Sequence, residues 1–193
     1  MSSGPLGPAA LLSEAEVRAL LATFSRRAPT GVRNYALVML LWRSGLRIAE
    51  ALALTPADVT LEGATPRVRV REGKGGTYRT VALHGEAVLA IERWRDVRSR
   101  RGLSRRPALF CTLAGAPVGQ SYVRQMLAEK GRRAGIPRCH PHAFRATLAV
   151  DLHREGVPVA VIRDVLGHRS VATTDAYLRR QFPADALAAL IDR

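Results

Sequence analysis

Apolar residues first recur at helical spacing just after Ser13. Ser13-Glu14-Ala15-Glu16 reads as a capping box, and Val17, Leu20, Leu21 and Phe24 then mark one face of a helix. A second helix is expected after Thr30. It carries the apolar run Tyr35–Trp42, which places it centrally in the core, and Gly45 suits its C-terminal cap. A short third helix is expected over about 46–54. The period then changes from helical to twofold: Val68 and Val70 alternate with Arg67, Arg69 and Arg71, the pattern of a half-buried strand with an arginine-rich outer face. Glu72-Gly73-Lys74-Gly75-Gly76 is a turn and Thr80–Leu83 the returning strand, so this segment reads as a β-hairpin with Lys74 at its tip. Helical spacing resumes over about 86–101, 121–134, 141–154, 158–166, 171–180 and 184–192, with a short strand expected at Ala108–Cys111. The pattern is that of one mostly α domain with a small antiparallel β-sheet (α+β) over 13–193, preceded by a Ser/Gly/Pro/Ala-rich linker at 1–12.

Composition narrows the partner. The 193 residues hold 30 Lys plus Arg against 16 Asp plus Glu, a formal charge of +14, while 47% are hydrophobic. That is enough for an ordinary core, so the charge belongs to a folded protein and points to a polyanion, nucleic acid before an anionic membrane surface. Only Lys74 and Lys130 are lysine; the other 28 basic residues are arginine. Cys111 and Cys139 do not make a disulfide framework, and read as small buried hydrophobes of a reducing compartment. The Tyr35–Trp42 run is too short to cross a bilayer, and the first residues have no basic n-region. These features together imply a cytoplasmic, nucleoid-associated protein.

Four separated segments carry polar residues that bland helices would not need. In Ser44-Gly45-Leu46-Arg47-Ile48-Ala49-Glu50, Arg47 is expected in the first turn of the third helix, where free amides favour an anion, with Glu50 bracing its guanidinium. Lys74 sits between glycines, able to reach a neighbouring site and to give up a proton as arginine cannot. In His140–Arg145, Pro141 suits a first helical position, His140 a cap, and His142 and Arg145 share one side. Leu166-Gly167-His168 closes a helix, and Tyr177 follows nine residues on. Cys139, His140, His142 and His153 lack the paired spacing of a zinc site. No cluster of carboxylates with metal-binding spacing is present, so neither a metal nor another cofactor is expected.

In this order, G-L-R-I-x-E, G-K-G, H-x-x-R, L-G-H and a Tyr nine residues on resemble the catalytic domain of the tyrosine recombinase (phage integrase) family over about 13–180. Ala146 departs from the many members with a histidine there. The resemblance implies that Arg47 and Arg145 clamp the scissile phosphate and that Lys74 is the hairpin lysine. It makes His142 and His168 the two histidines and Tyr177 the nucleophile. On this basis two guanidiniums and His168 stabilise the phosphorane's extra negative charge, and the two cations favour the Tyr177 phenolate. Lys74 is assigned as general acid to the departing 5′-hydroxyl, and His142 acts as general base or orients the phosphate. A 3′-phosphotyrosine link conserves bond energy, so neither ATP nor a metal is needed.

The resemblance further implies double-stranded DNA as partner, a monomer that assembles into a tetramer on DNA, and a tail helix at about 184–192 able to dock on its own or a neighbouring protomer. Accessory recombination proteins are compatible with it. Family members usually carry an additional N-terminal DNA-clamping domain, and with only twelve residues before the first expected helix none is expected within this sequence. It is either an excised catalytic fragment or a short member, and the fragment fits better because half a clamp binds duplex weakly. Arg93, Arg95, Arg98, Arg100, Arg101, Arg105 and Arg106 form either a solvated face or a phosphate-tracking patch. Two alternatives remain: a type IB topoisomerase, with the same chemistry and no site preference, and a non-catalytic regulator using a helix-turn-helix around 36–54.

Overall fold

A computed structural model describes residues 11–72, 77–83, 85–168 and 170–179. Helix α2 (Pro29–Ser44) is its axis: eight consecutive residues of this helix centre on the apolar run, and Ala36 to Trp42 are all buried. A helix apolar on every side must be surrounded. Helices α4 (Gly85–Arg100) and α6 (Pro141–Arg154) flank it, and α1 (Glu14–Ala22) and α5 (Gln120–Arg133) close the bundle. The expected capping box at Ser13 is present: Glu16 N donates to Ser13 Oγ and Ser13 N to Glu16 Oε2. Leu12, placed by the sequence in the linker, already belongs to the core, with its amide donating to Thr147 Oγ1 at 2.9 Å.

Between α2 and α4 lie α3 (Ile48–Ala53), a 3-10 turn at Pro56–Asp58, and three antiparallel strands in sequence order: β1 (Val59–Thr60), β2 (Arg67–Glu72) and β3 (Thr77–Ala82). The hairpin is as expected, but β1 was not; two residues are too short for periodicity to declare. Register sets the faces. Val68 opposes Val59 and Val81, and Val70 opposes Arg79, so Arg79 shares the inner face of the sheet with four buried valines. On the outer face Tyr78 lies beside the Arg69 and Arg71 guanidiniums, 4.8 and 5.7 Å from its ring centroid.

The strand expected at Ala108–Cys111 does not form; Cys111 makes a single bridge to Pro117. Its carbonyls are taken from the side. Arg98 Nη1 donates to Ala108 O and Leu109 O, and Trp94 Nε1 also donates to Leu109 O. This corrects the reading of the arginine-rich stretch as well. Arg98 is 2% exposed and bonds four carbonyls, Arg95 bonds Pro56 O and Val59 O, and Arg93 bonds Arg26 O. Arg98 and the partly buried Arg95 are therefore internal staples, while Arg93, Arg100, Arg101, Arg105 and Arg106 are exposed.

Helix α6 joins two cores. Ala143 and Phe144 belong to the main one, whereas Ala149 and Val150 pack with Ile162 and Leu166 of α7 (Val159–Leu166) and Leu178 of α8 (Val171–Arg179). Leu148 and Leu152 of the same helix are half-buried. Among the described residues no helix is long and apolar enough to cross a membrane. Lys74 and the tail segment 184–192 lie outside the described residues.

Candidate active site

The site forms where the C-terminal ends of α2 and α7 meet helix α6. Gly45 ends α2 with φ 62, a left-handed conformation that L side chains rarely adopt, and a Cβ there would sit 2.8 Å from Leu148 Cδ2. The chain then runs extended through Arg47 before α3 starts at Ile48. Arg47 is thus the N-cap (φ −65, ψ 146) and not a first-turn residue as the sequence suggested. The reason is local: the Glu50 carboxylate reaches back to accept the Arg47 amide at 2.8 Å, which fixes the helix start one residue later. The expected bracing holds, with Arg47 Nη1 donating to Glu50 Oε1 at 2.7 Å.

Gly167 ends α7 in the same left-handed conformation, with φ 64. The carbonyls released at this helix end are where the two candidate arginines converge. Arg145 Nη2 donates to Leu166 O at 2.6 Å, and Arg47 Nη2 donates to Gly167 O at 3.2 Å. The other arm of Arg145 donates to Gly45 O at 2.7 Å, tying the α2 and α7 termini together. Arg145 is 3% exposed; the Arg47 side chain is 46% exposed. The Arg145 guanidinium is therefore a buried strut, and that of Arg47, held by Glu50 and Gly167 O, is open to solvent.

His168 follows directly, its Nδ1 2.8 Å from Thr174 Oγ1 of α8. Desolvation, and then the positive charges of Arg145 and Arg47, push its pKa down to about 4. His142, one residue into α6 and exposed, is lowered by the same two causes, desolvation first and Arg145 next. His140 caps α6 as expected, its Nδ1 accepting from Ala143 N at 3.2 Å. A shallow cavity of about 350 Å³ opens against this group, lined by Arg47, Ile48, Arg124, His140, His142 and Arg145 among others. Ala146, the departure from the family pattern, is fully buried.

Of the residues singled out by sequence, Arg47, Glu50, His142, Arg145 and His168 are brought together. Tyr177 lies in α8, between the buried Thr174 and Leu178, and its side chain is outside what is described. Two contributors were missed. Thr174 gave no signal, since nothing local says which side chain will meet an imidazole. Arg79 did: it is in phase with Val81 along β3, and starting the strand at Thr80 hid that alternation. Among the described residues no group of three His, Cys, Asp or Glu is disposed to hold a metal ion.

Comparison with known proteins bears on the same span. The model of the phage integrase family matches residues 10–183. The chain is similar to the type 1 fimbriae regulatory protein FimE of Escherichia coli K12, 31% identical over 168 residues, which are 86% of this chain and 83% of FimE. It is 36% identical over 169 residues to the tyrosine recombinase XerD of Ralstonia nicotianae, covering 86% of this chain and 54% of XerD. Among solved structures, the crystal structure of XerA recombinase matches at TM-score 0.78 and 32% identity, over 97% of this chain and 65% of that one. The XerH site-specific recombinase, in a post-cleavage complex with palindromic difH substrate, matches at TM-score 0.81 and 25% identity over 94% of this chain and 53% of XerH. The chain thus spans about half the length of XerD and XerH and most of FimE.

Proposed function

The chain belongs to the phage integrase family, the tyrosine recombinases, and from that premise we propose that it cuts and rejoins double-stranded DNA through a covalent phosphotyrosine intermediate. The observation that supports this best is the convergence of Arg145 and Arg47 on the carbonyls of Leu166 and Gly167, immediately before His168. Two cations with differing freedom and an imidazole kept neutral make a site for a phosphodiester whose non-bridging oxygens gain charge in the transition state.

The Tyr177 phenolate oxygen attacks the phosphorus, the P–O5′ bond breaks, and Lys74 transfers its proton to the departing 5′-oxygen. The Arg47 guanidinium, exposed at one edge, donates to a non-bridging oxygen. Arg145 adds its charge from beneath. With its pKa near 4, His168 is neutral at physiological pH and donates a hydrogen bond without having to lose a proton first. His142, beside the same cavity, orients the phosphate or takes the tyrosine proton. Attack by a second 5′-hydroxyl reverses the step on a new partner strand. Neither ATP nor a metal enters these steps. A tetramer assembled on DNA from solution monomers, in the nucleoid, completes this reading.

The test is a pool of duplexes, randomised around a nick placed so that the short 5′-hydroxyl fragment diffuses away after cleavage. An SDS-stable protein–DNA adduct is expected for the wild type and none for Tyr177→Phe. An adduct that persists in the variant overturns the nucleophile. Plasmid relaxation without sequence preference would assign the topoisomerase alternative.

A further inference from the structure

On β3 an arginine occupies a position that the sheet's alternation reserves for an apolar side chain. Arg79 is paired with Val70, in phase with Val81, and its side chain is only 10% exposed. A guanidinium there must be satisfied by specific partners, since burying a charge without them is costly. Its partners are the parts of the candidate site. Arg79 Nη1 and Nη2 donate to Glu50 Oε1 and Oε2 at 3.1 and 2.8 Å, a fork-to-fork pair. Its Nε donates to Val165 O at 3.3 Å, and the guanidinium lies over Gly167, where an added Cβ would come within 2.6 Å of Nη1.

Glu50 therefore serves two arginines. It accepts from Arg79 on both oxygens, from the Arg47 amide on Oε2, and from the Arg47 guanidinium on Oε1 alone. With its lone pairs so distributed, Glu50 holds the Arg47 guanidinium by one nitrogen. Take Arg79 away and a carboxylate only 14% exposed regains two acceptor sites next to a solvent-exposed guanidinium. The favourable outcome is then a bidentate Glu50–Arg47 pair.

We propose that Arg79 is a positioning residue for the phosphate clamp: by pairing with both oxygens of Glu50 it limits the Arg47 guanidinium to a single contact with that carboxylate and prevents a bidentate pair, and by packing over Gly167 it holds the Leu166–Gly167 carbonyls in register for Arg145 and Arg47. The proposal rests on Arg47 being a phosphate ligand. It also links the hairpin that carries Lys74 to the clamp, because Arg79 is on that hairpin's returning strand.

The test uses the full chain and a nicked duplex recovered by the covalent selection above. Arg79→Met is expected to form adduct about a hundredfold more slowly in single turnover, with duplex Kd changed by less than about threefold. The decisive variant is Arg79→Met/Glu50→Gln. An uncharged amide no longer captures Arg47, so the double variant is expected to be at least about tenfold faster than Arg79→Met alone. Simple loss of structure would make it equal or slower, and that result overturns the proposal, as does a wild-type rate for Arg79→Met. Folding of every variant is checked by thermal unfolding. A second arm needs no DNA: rotation about the Arg47 Nε–Cζ bond, read from its 15N guanidinium resonances, should slow in Arg79→Met and recover in the double variant. Absence of any wild-type adduct would count against the proposed function, while the guanidinium arm still decides the role of Arg79; unchanged rotation in both variants rejects it.

Discussion

One histidine and two arginines illustrate how position, not identity, sets chemistry here. His168 has an ordinary imidazole value of 6.5 when unfolded and about 4 in the folded chain, lowered by desolvation first and by neighbouring arginines next. The linkage sign follows. The unfolded chain takes up the proton first, so this group's contribution to stability is complete above about 6.5 and is lost as pH falls to about 4. A 13Cε1–1H NMR titration should give a midpoint near 4 for His168 in the DNA-free protein. A midpoint at or above 6.5 would mean that burial and the adjacent cations do not control it. Arg145 and Arg47 show the same dependence on place. The former is sealed between two helix ends and the latter open at one edge, though both are named by equally short motifs.

Among the elements, α4 is the most misleading when taken as sequence. Its run of arginines looks like a surface, yet Arg98 turns inward and closes the carbonyls of Leu103, Arg106, Ala108 and Leu109. A charged staple of this kind does what a strand would have done for the segment 108–111. Arg98→Met would take this donor from the Ala108 and Arg106 carbonyls, each loss costing about 1–3 kcal/mol, while Leu109 O keeps Trp94 Nε1 and Leu103 O keeps the Arg106 amide. With partial relaxation, a net loss of about 3–5 kcal/mol is expected. Urea unfolding checks this through a fall in midpoint at unchanged slope; a variant within about 0.5 kcal/mol of wild type would show that the staple is dispensable. The hairpin teaches the converse lesson. Its alternation was legible from Arg67 to Arg71, but with the returning strand started at Thr80 the same phase was not carried back to Arg79, which the pairing turns inward.

For the whole molecule, the formal charge of +14 overstates what DNA can meet. Arg33, Arg98 and Arg145 are buried and already bonded to protein groups, and Arg79 and Arg95 are largely so. Counterion release is driven only by cations that touch phosphates. Binding of a random-sequence duplex, followed by fluorescence anisotropy across a salt series, should therefore give a log–log slope far shallower than about 0.9 per unit of net charge. A slope as steep as the formal charge would place the internal arginines at the interface.

The amino-acid sequence by itself determined the described helices, the strands of the hairpin, the central place of α2 and the candidates Arg47, Glu50, His142, Arg145 and His168. These are consequences of periodicity, capping and ordered motifs, all of which act over a few neighbouring residues. Only the tertiary structure decided that Arg47 caps α3 instead of lying within it, that Arg98 is a staple, that Thr174 meets His168, and that Arg79 shares Glu50 with Arg47. Each of these depends on which carbonyl or carboxylate another part of the chain brings within about 3 Å of a donor. A long, flexible arginine side chain can satisfy itself in many places. Its sequence position says that it carries a charge, and the packing of distant elements chooses what that charge does.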